Sequence, residues 1–82
     1  MPERLLNAKA KTVGAKQTLK AVEKGEALVV FVARDADSHI VQPIIDGCRA
    51  RGIELVYVDS IEALGRYCHI DVGAATAALV RR

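Results

Sequence analysis

The 82-residue chain has no tryptophan and only three other aromatic residues, Phe31, Tyr57 and Tyr67. Its core must therefore come from Val, Ile, Leu and Ala, and single-strand readers that stack bases on exposed rings are disfavoured. Two cysteines, Cys48 and Cys68, are too few for the disulfide framework of a small secreted domain. No basic-then-apolar signal segment opens the chain, and the longest apolar run, Ala27 to Ala33, falls far short of the roughly 20 residues of a membrane span. A reduced, cytoplasmic protein without membrane contact is expected. The chain also lacks internal repeats, low-complexity segments and linkers, so residues 1–82 are expected to form one domain. A domain this small buries only about 60% of its unfolded surface, which excludes a large cleft between lobes. Disorder is excluded too, because 51% of the residues are hydrophobic.

Net charge is small as well, only +2, and names no partner. Its distribution is lopsided. Residues 1–24 hold six basic residues against two acidic ones, and residues 25–82 hold six against eight. Positive charge gathered at one end suits a polyanion; a solvated surface with a chance cluster reads equally well on charge alone.

Apolar spacing gives the architecture. Pro2 and Glu3 suit the first turn of a helix, and Leu6, Ala10 and Val13 repeat at helical intervals with Lys9 and Lys11 near its end. Gly14 interrupts; Ala15, Thr18, Leu19 and Val22 then mark a second helix stopped by Gly25. At 100° per residue, Lys16, Lys20 and Lys24 fall within an arc of about 80° opposite that apolar face, with Gln17 beside them. Ala27–Ala33 shows no alternation and reads as a strand buried on both faces. Asp35, Asp37 and Ser38 supply cap candidates for a helix carrying Val41, Ile44, Ile45 and Cys48, with Pro43 expected in its first turn and Gly52 at its end. Ile53 to Val58 reads as a further strand. Asp59-Ser60-Ile61-Glu62 offers a capping-box-like start to a short helix with Ile61 and Leu64. The tail from Gly73 to Val80 is helix by alanine propensity and strand by its brevity. This alternation predicts an α/β fold, a three-layer α-β-α sandwich around a small mixed sheet.

Catalytic patterns are thin. The segment around Lys16 lacks the glycine directly before the lysine, and the distal one, that a P-loop requires; the helix expected ahead of it is also the wrong context. Asp35-Ala36-Asp37 follows a buried strand, where paired carboxylates hold Mg²⁺ in aspartate-dependent phosphatases; the same acids also serve as helix caps. His39, His69, Cys48 and Cys68 lack the paired short spacings of a zinc site. No metal, no cofactor and no enzymatic activity are expected. Cys48 reads as a small core residue, and Cys68 as either inert or a reactive loop thiol near Arg66. What remains is the helix beginning at Gly14. Its N-terminus favours phosphate, and Lys16, Gln17 and Lys20 carry donors that reach phosphate oxygens and base edges.

Gly14-Ala15-Lys16-Gln17-Thr18-Leu19-Lys20-Ala21-Val22, the strand Val29 to Ala33 with Asp35, Val58-Asp59-Ser60, Leu64-Gly65 and Ile70-Asp71-Val72-Gly73-Ala74-Ala75 stand in an order that resembles the kink-turn RNA-binding family of archaeal and eukaryotic large-subunit ribosomal proteins and small nucleolar ribonucleoproteins. The small bacterial branch, the YbxF type, is the most similar, and the similarity covers nearly the whole chain. The resemblance implies an α-β-α sandwich that binds structured RNA, ribosomal RNA or a riboswitch included, at a bend built on tandem sheared G·A pairs. It implies that Gly14 and Ala15 admit the RNA, that Lys16 and Gln17 face the G·A bases, and that Lys20 meets guanine or phosphate. It also implies that Ile70, Asp71, Val72, Gly73 and Ala74 pack on the bulged nucleotide. Longer members carry Asn-Glu where Lys16-Gln17 stands, so this pair is more positive.

A monomer without DNA specificity is expected. Two other readings stand beside it: a protein–protein interaction module of a ribonucleoprotein, whose basic stripe meets acidic protein, and the aspartate-dependent phosphatase.

Overall fold

The computed structural model describes residues 10–69 and 73–80. Four strands form one sheet in the order β1-β4-β2-β3: β1 Lys11–Val13, β2 Ala27–Ala33, β3 Glu54–Val58 and β4 Thr76–Val80. Strand β4 runs antiparallel to both β1 and β2, while β2 and β3 are parallel, so the sheet is mixed. Helices α1 (Ala15–Glu23) and α2 (Ser38–Arg51) pack on one face, and α3 (Ile61–Tyr67) packs on the other. This is the expected three-layer α-β-α sandwich.

Strand β2 shows why the middle layer holds. Val30 and Val32 enter the cluster with Val22, Ile44, Ile45 and Cys48, whereas Val29, Phe31 and Ala33 enter the one with Val58, Leu64 and Cys68. Both sides of the strand are buried, and an unbroken apolar run is the sequence form of that burial. The tail resolves as β4, again with small residues on both faces. Ala77 and Ala78 are fully buried, which allows close approach of the layers.

One expected element is corrected. The helix proposed through Lys11 and Val13 does not extend there, because Lys11–Val13 is β1, paired with Ala77–Leu79. The pairing with β4 decides it, and it sends Val13 into the α3-side cluster while Thr12 turns to the other face, where its hydroxyl bonds that of Thr18 at 3.0 Å. Residues 2–9 of that helix lie outside the described residues. Pro43 is also displaced from its expected place, since it is the sixth residue of α2, past the first turn. It is exposed, and so is His39, whose carbonyl loses the N–H that residue 43 would donate.

The ends of the helices follow the residues. Gly25 and Gly52 adopt the left-handed conformation just where α1 and α2 stop. Asp37 caps α2 by accepting from His39 N at 2.8 Å. Ser60 caps α3 by accepting from Ala63 N at 3.0 Å. Glu62 does not complete a capping box; it pairs along the exposed face with Arg66 at 3.2 Å.

Candidate nucleic-acid interface

The C-terminal ends of β1, β2 and β3 and the start of β4 lie at one end of the sheet, so the N-termini of all three helices open there. Gly14 makes the first of these turns at φ 95° and ψ 156°, a conformation closed to side-chain-bearing residues. Its N–H donates to Thr76 O at 2.8 Å, and its carbonyl accepts from Thr18 N at 3.0 Å. The turn is thus clamped between β4 and the first turn of α1. Thr76 is wholly buried, and its Oγ1 has no hydrogen-bond partner among the described residues. A Cβ at Gly14 would meet nothing within 4 Å, so the glycine is required by its backbone angles and the space above it is open. Gly14→Ala should lower stability by about 1–3 kcal/mol through backbone strain alone, read as a lower midpoint in urea with an unchanged slope.

Helix α1 has no side-chain cap and no acid in its first turn, which leaves the positive end of its dipole unneutralised. Thr18, Ala21 and Val22 are buried, and Ala15 and Leu19 half-buried, so the predicted apolar face is the packed one. Lys16, Gln17, Lys20 and Lys24 are all exposed. The only ion pair among the described residues is Arg66 with Glu62, so these lysines hold their charge toward solvent. The arrangement offers backbone N–H groups, three ammonium groups and one amide on a single rigid face.

The second part of the expected site is only partly placed. Ile70, Asp71 and Val72 lie outside the described residues. Gly73 is exposed and packs so closely on Ile61 that a Cβ there would clash with it. Ala74 is buried and donates its N–H to Ile61 O at 3.1 Å, so its side chain faces the core and not a ligand. Ile61 in turn donates its N–H to Asp35 Oδ1 at 2.7 Å. One residue therefore ties the β2–α2 turn, the start of α3 and the loop before β4 together. The Gly14–Thr76 bond links that unit to α1.

These contacts bear on the alternatives. Asp35 is held by Ile61 N and Asp37 by His39 N, so both carboxylates of the phosphatase reading serve helix starts. No group of three or more His, Cys, Asp or Glu residues among the described ones could hold a metal. A strand, and not the expected helix, precedes Gly14, but the glycine spacing of a P-loop is still missing. Cys68 stands in the turn that closes α3. It is buried, and burial pushes its pKa up, an effect that Lys11 opposes more weakly; Cys48 is raised in the same way, with Arg51 opposing. Both should resist iodoacetamide in the folded protein at neutral pH and react once it is unfolded. Because the folded pKa values lie above the ordinary value of about 8.5, the folded state keeps protons that the unfolded chain gives up. The contribution to stability is constant below that pH and falls as pH rises through the folded values, which alkaline melting curves would show.

The comparisons with known proteins agree with this architecture. An RNA-binding protein of Caldanaerobacter subterraneus subsp. tengcongensis is 53% identical over 68 residues, 83% of each chain. The RNA-binding protein YbxF of Geobacillus stearothermophilus is 39% identical over 79 residues, 96% of each chain. Among solved structures, the Giardia lamblia 15.5kD RNA binding protein superposes with a TM-score of 0.86 at 32% identity, over 99% of this chain and 68% of the other. The model of the ribosomal protein L7Ae/L30e/S12e/Gadd45 family matches residues 2–82, and the chain belongs to that family.

Proposed function

We propose that this chain is a non-catalytic RNA-binding protein that recognises kink-turn RNA, with residues 1–82 acting as a single module. The observation that carries the reading is the uncapped start of α1, where Gly14 leaves open space beside exposed Lys16, Gln17 and Lys20. Relatives named as RNA-binding proteins support it. Ammonium groups at Lys16 and Lys20 donate to guanine O6 and N7 or to phosphate, and the Gln17 amide both donates and accepts on a purine edge. Gly14 and Ala15 present backbone without bulk, so a widened groove at sheared G·A pairs can close on the helix end. Ile70, Asp71, Val72 and Gly73 cover the bulged nucleotide, followed by Ala74, which is buried.

The partner is a structured RNA, ribosomal RNA or a riboswitch included, met by a monomer in the cytoplasm without need of metal or cofactor. No described helix is long and apolar enough to cross a membrane. Titrating a kink-turn RNA into ¹⁵N-labelled protein tests the interface. Amide shifts should concentrate on residues 14–20 and 73–76 and leave Arg49 to Gly52, at the other end of the sheet, unmoved. Shifts spread evenly over the basic residues would contradict a defined site.

A further inference from the structure

We infer that Arg34 and Tyr57 form a second RNA contact, a stacking platform for one unpaired nucleobase of the same RNA; this rests on the RNA-binding reading above. Tyr57 stands on β3, an edge strand, and is 43% exposed, although the scarcity of aromatics speaks against any such ring. The Arg34 guanidinium lies over its ring, 5.6 Å from the centroid. Arg34 is itself exposed and has no ion-pair partner among the described residues. Its backbone N–H donates to Val58 O at 2.8 Å, which fixes the end of β2 against β3 beneath the stack. The guanidinium near the ring and the part of the ring it leaves uncovered are both flat surfaces on which a base stacks.

Position and charge select the ligand. The pair sits at the same end of the sheet as Gly14, three strand spacings across, or about 14 Å. A single folded RNA spans both. Exposed Asp35 and Asp59 flank the pair in sequence and repel phosphate, whereas an uncharged base pays no such penalty. The lysine side of the interface therefore takes backbone and paired bases, and the Arg34–Tyr57 corner takes a base outside the helix.

The test uses the full chain and a kink-turn RNA carrying three unpaired nucleotides on each stem end, with affinities read by fluorescence anisotropy. Tyr57→Ala should weaken binding about 5- to 150-fold, the range for one stacked base. Tyr57→Phe should stay within about twofold of wild type, since it keeps the ring. Arg34→Lys keeps the charge but loses the plane, and should weaken binding as the alanine variant does. Ultraviolet irradiation of the wild-type complex should join Tyr57 to RNA, located by mass spectrometry. If Tyr57→Ala lowers the melting temperature, Arg34→Lys and the crosslink decide. Wild-type affinity in Arg34→Lys and no crosslink at Tyr57, while Lys16→Ala still weakens binding, would overturn the platform and leave the lysine face standing, with the ring free for a protein partner. A wild-type chain with no affinity for the RNA would overturn both readings.

Discussion

Replacing Lys16 and Lys20 together by alanine should weaken binding to a kink-turn RNA by about 2–4 kcal/mol, roughly 30- to 1,000-fold, with no loss of fold. Each side chain is exposed on α1 and neither is paired among the described residues, so their removal leaves no buried group stranded. Alanine is also the better helix former, which keeps the change in stability within about 0.5 kcal/mol. The two losses will not add fully, because residues one helical turn apart share one stretch of RNA. Salt separates their roles. A lysine on phosphate lowers the slope of log affinity against log salt by about one when removed, whereas a lysine on guanine lowers discrimination between sequences. Isothermal titration at several salt concentrations reads both, and unchanged affinity in the double variant would remove α1 from the interface.

Phe31→Ala should destabilise the protein by about 3–5 kcal/mol. Phe31 is fully buried at the centre of β2 and is the largest side chain in the core. Its ring fills the layer between the sheet and α3, beside Leu64, Val58 and Ala77. The neighbours across it are small or already packed, so collapse into the space recovers little. A chain of this length has a total stability of about 4–12 kcal/mol, so the loss takes about a quarter of it or more. Circular dichroism on heating should show a midpoint lower by 12 °C or more, at about 4–8 °C per kcal/mol for a domain of this size. The same variant binds RNA only in proportion to the fraction folded, which separates a core effect from a lysine effect.

Much of this architecture is legible in the residues because the relevant signals are local. Ala27–Ala33 reads as a doubly buried strand from seven apolar residues alone, and the helix stops at Gly25 and Gly52 follow from a single residue type. The lysine face is legible for the same reason, since helical spacing maps Lys16 and Lys20 without reference to the rest of the chain. Features that depend on a distant partner are not legible. Lys11–Val13 is too short to display a period, and only its pairing with β4 makes it a strand. Asp35 looks like a cap or a metal ligand, and its bond to Ile61, 26 residues away, appears only when the turns meet. Cys68 lies two residues after Arg66 in sequence, yet its side chain packs inward. Tyr57 gives no sign that an edge strand leaves its ring half uncovered. The resemblance to a known family supplied the role of Gly14, while its backbone angles and open surroundings supply the physical reason.

The central claim is that the face opening at Gly14 reads tandem sheared G·A pairs and does not merely attract a polyanion. Two RNAs of equal length and charge test it, one with the tandem G·A pairs and one with Watson–Crick pairs in their place. Their affinities would be measured at the same salt concentration. At least a hundredfold preference for the G·A RNA is expected, about 2.7 kcal/mol, within reach of two side chains that meet bases. Equal affinity for the two would contradict it, because phosphate contacts alone cannot tell them apart.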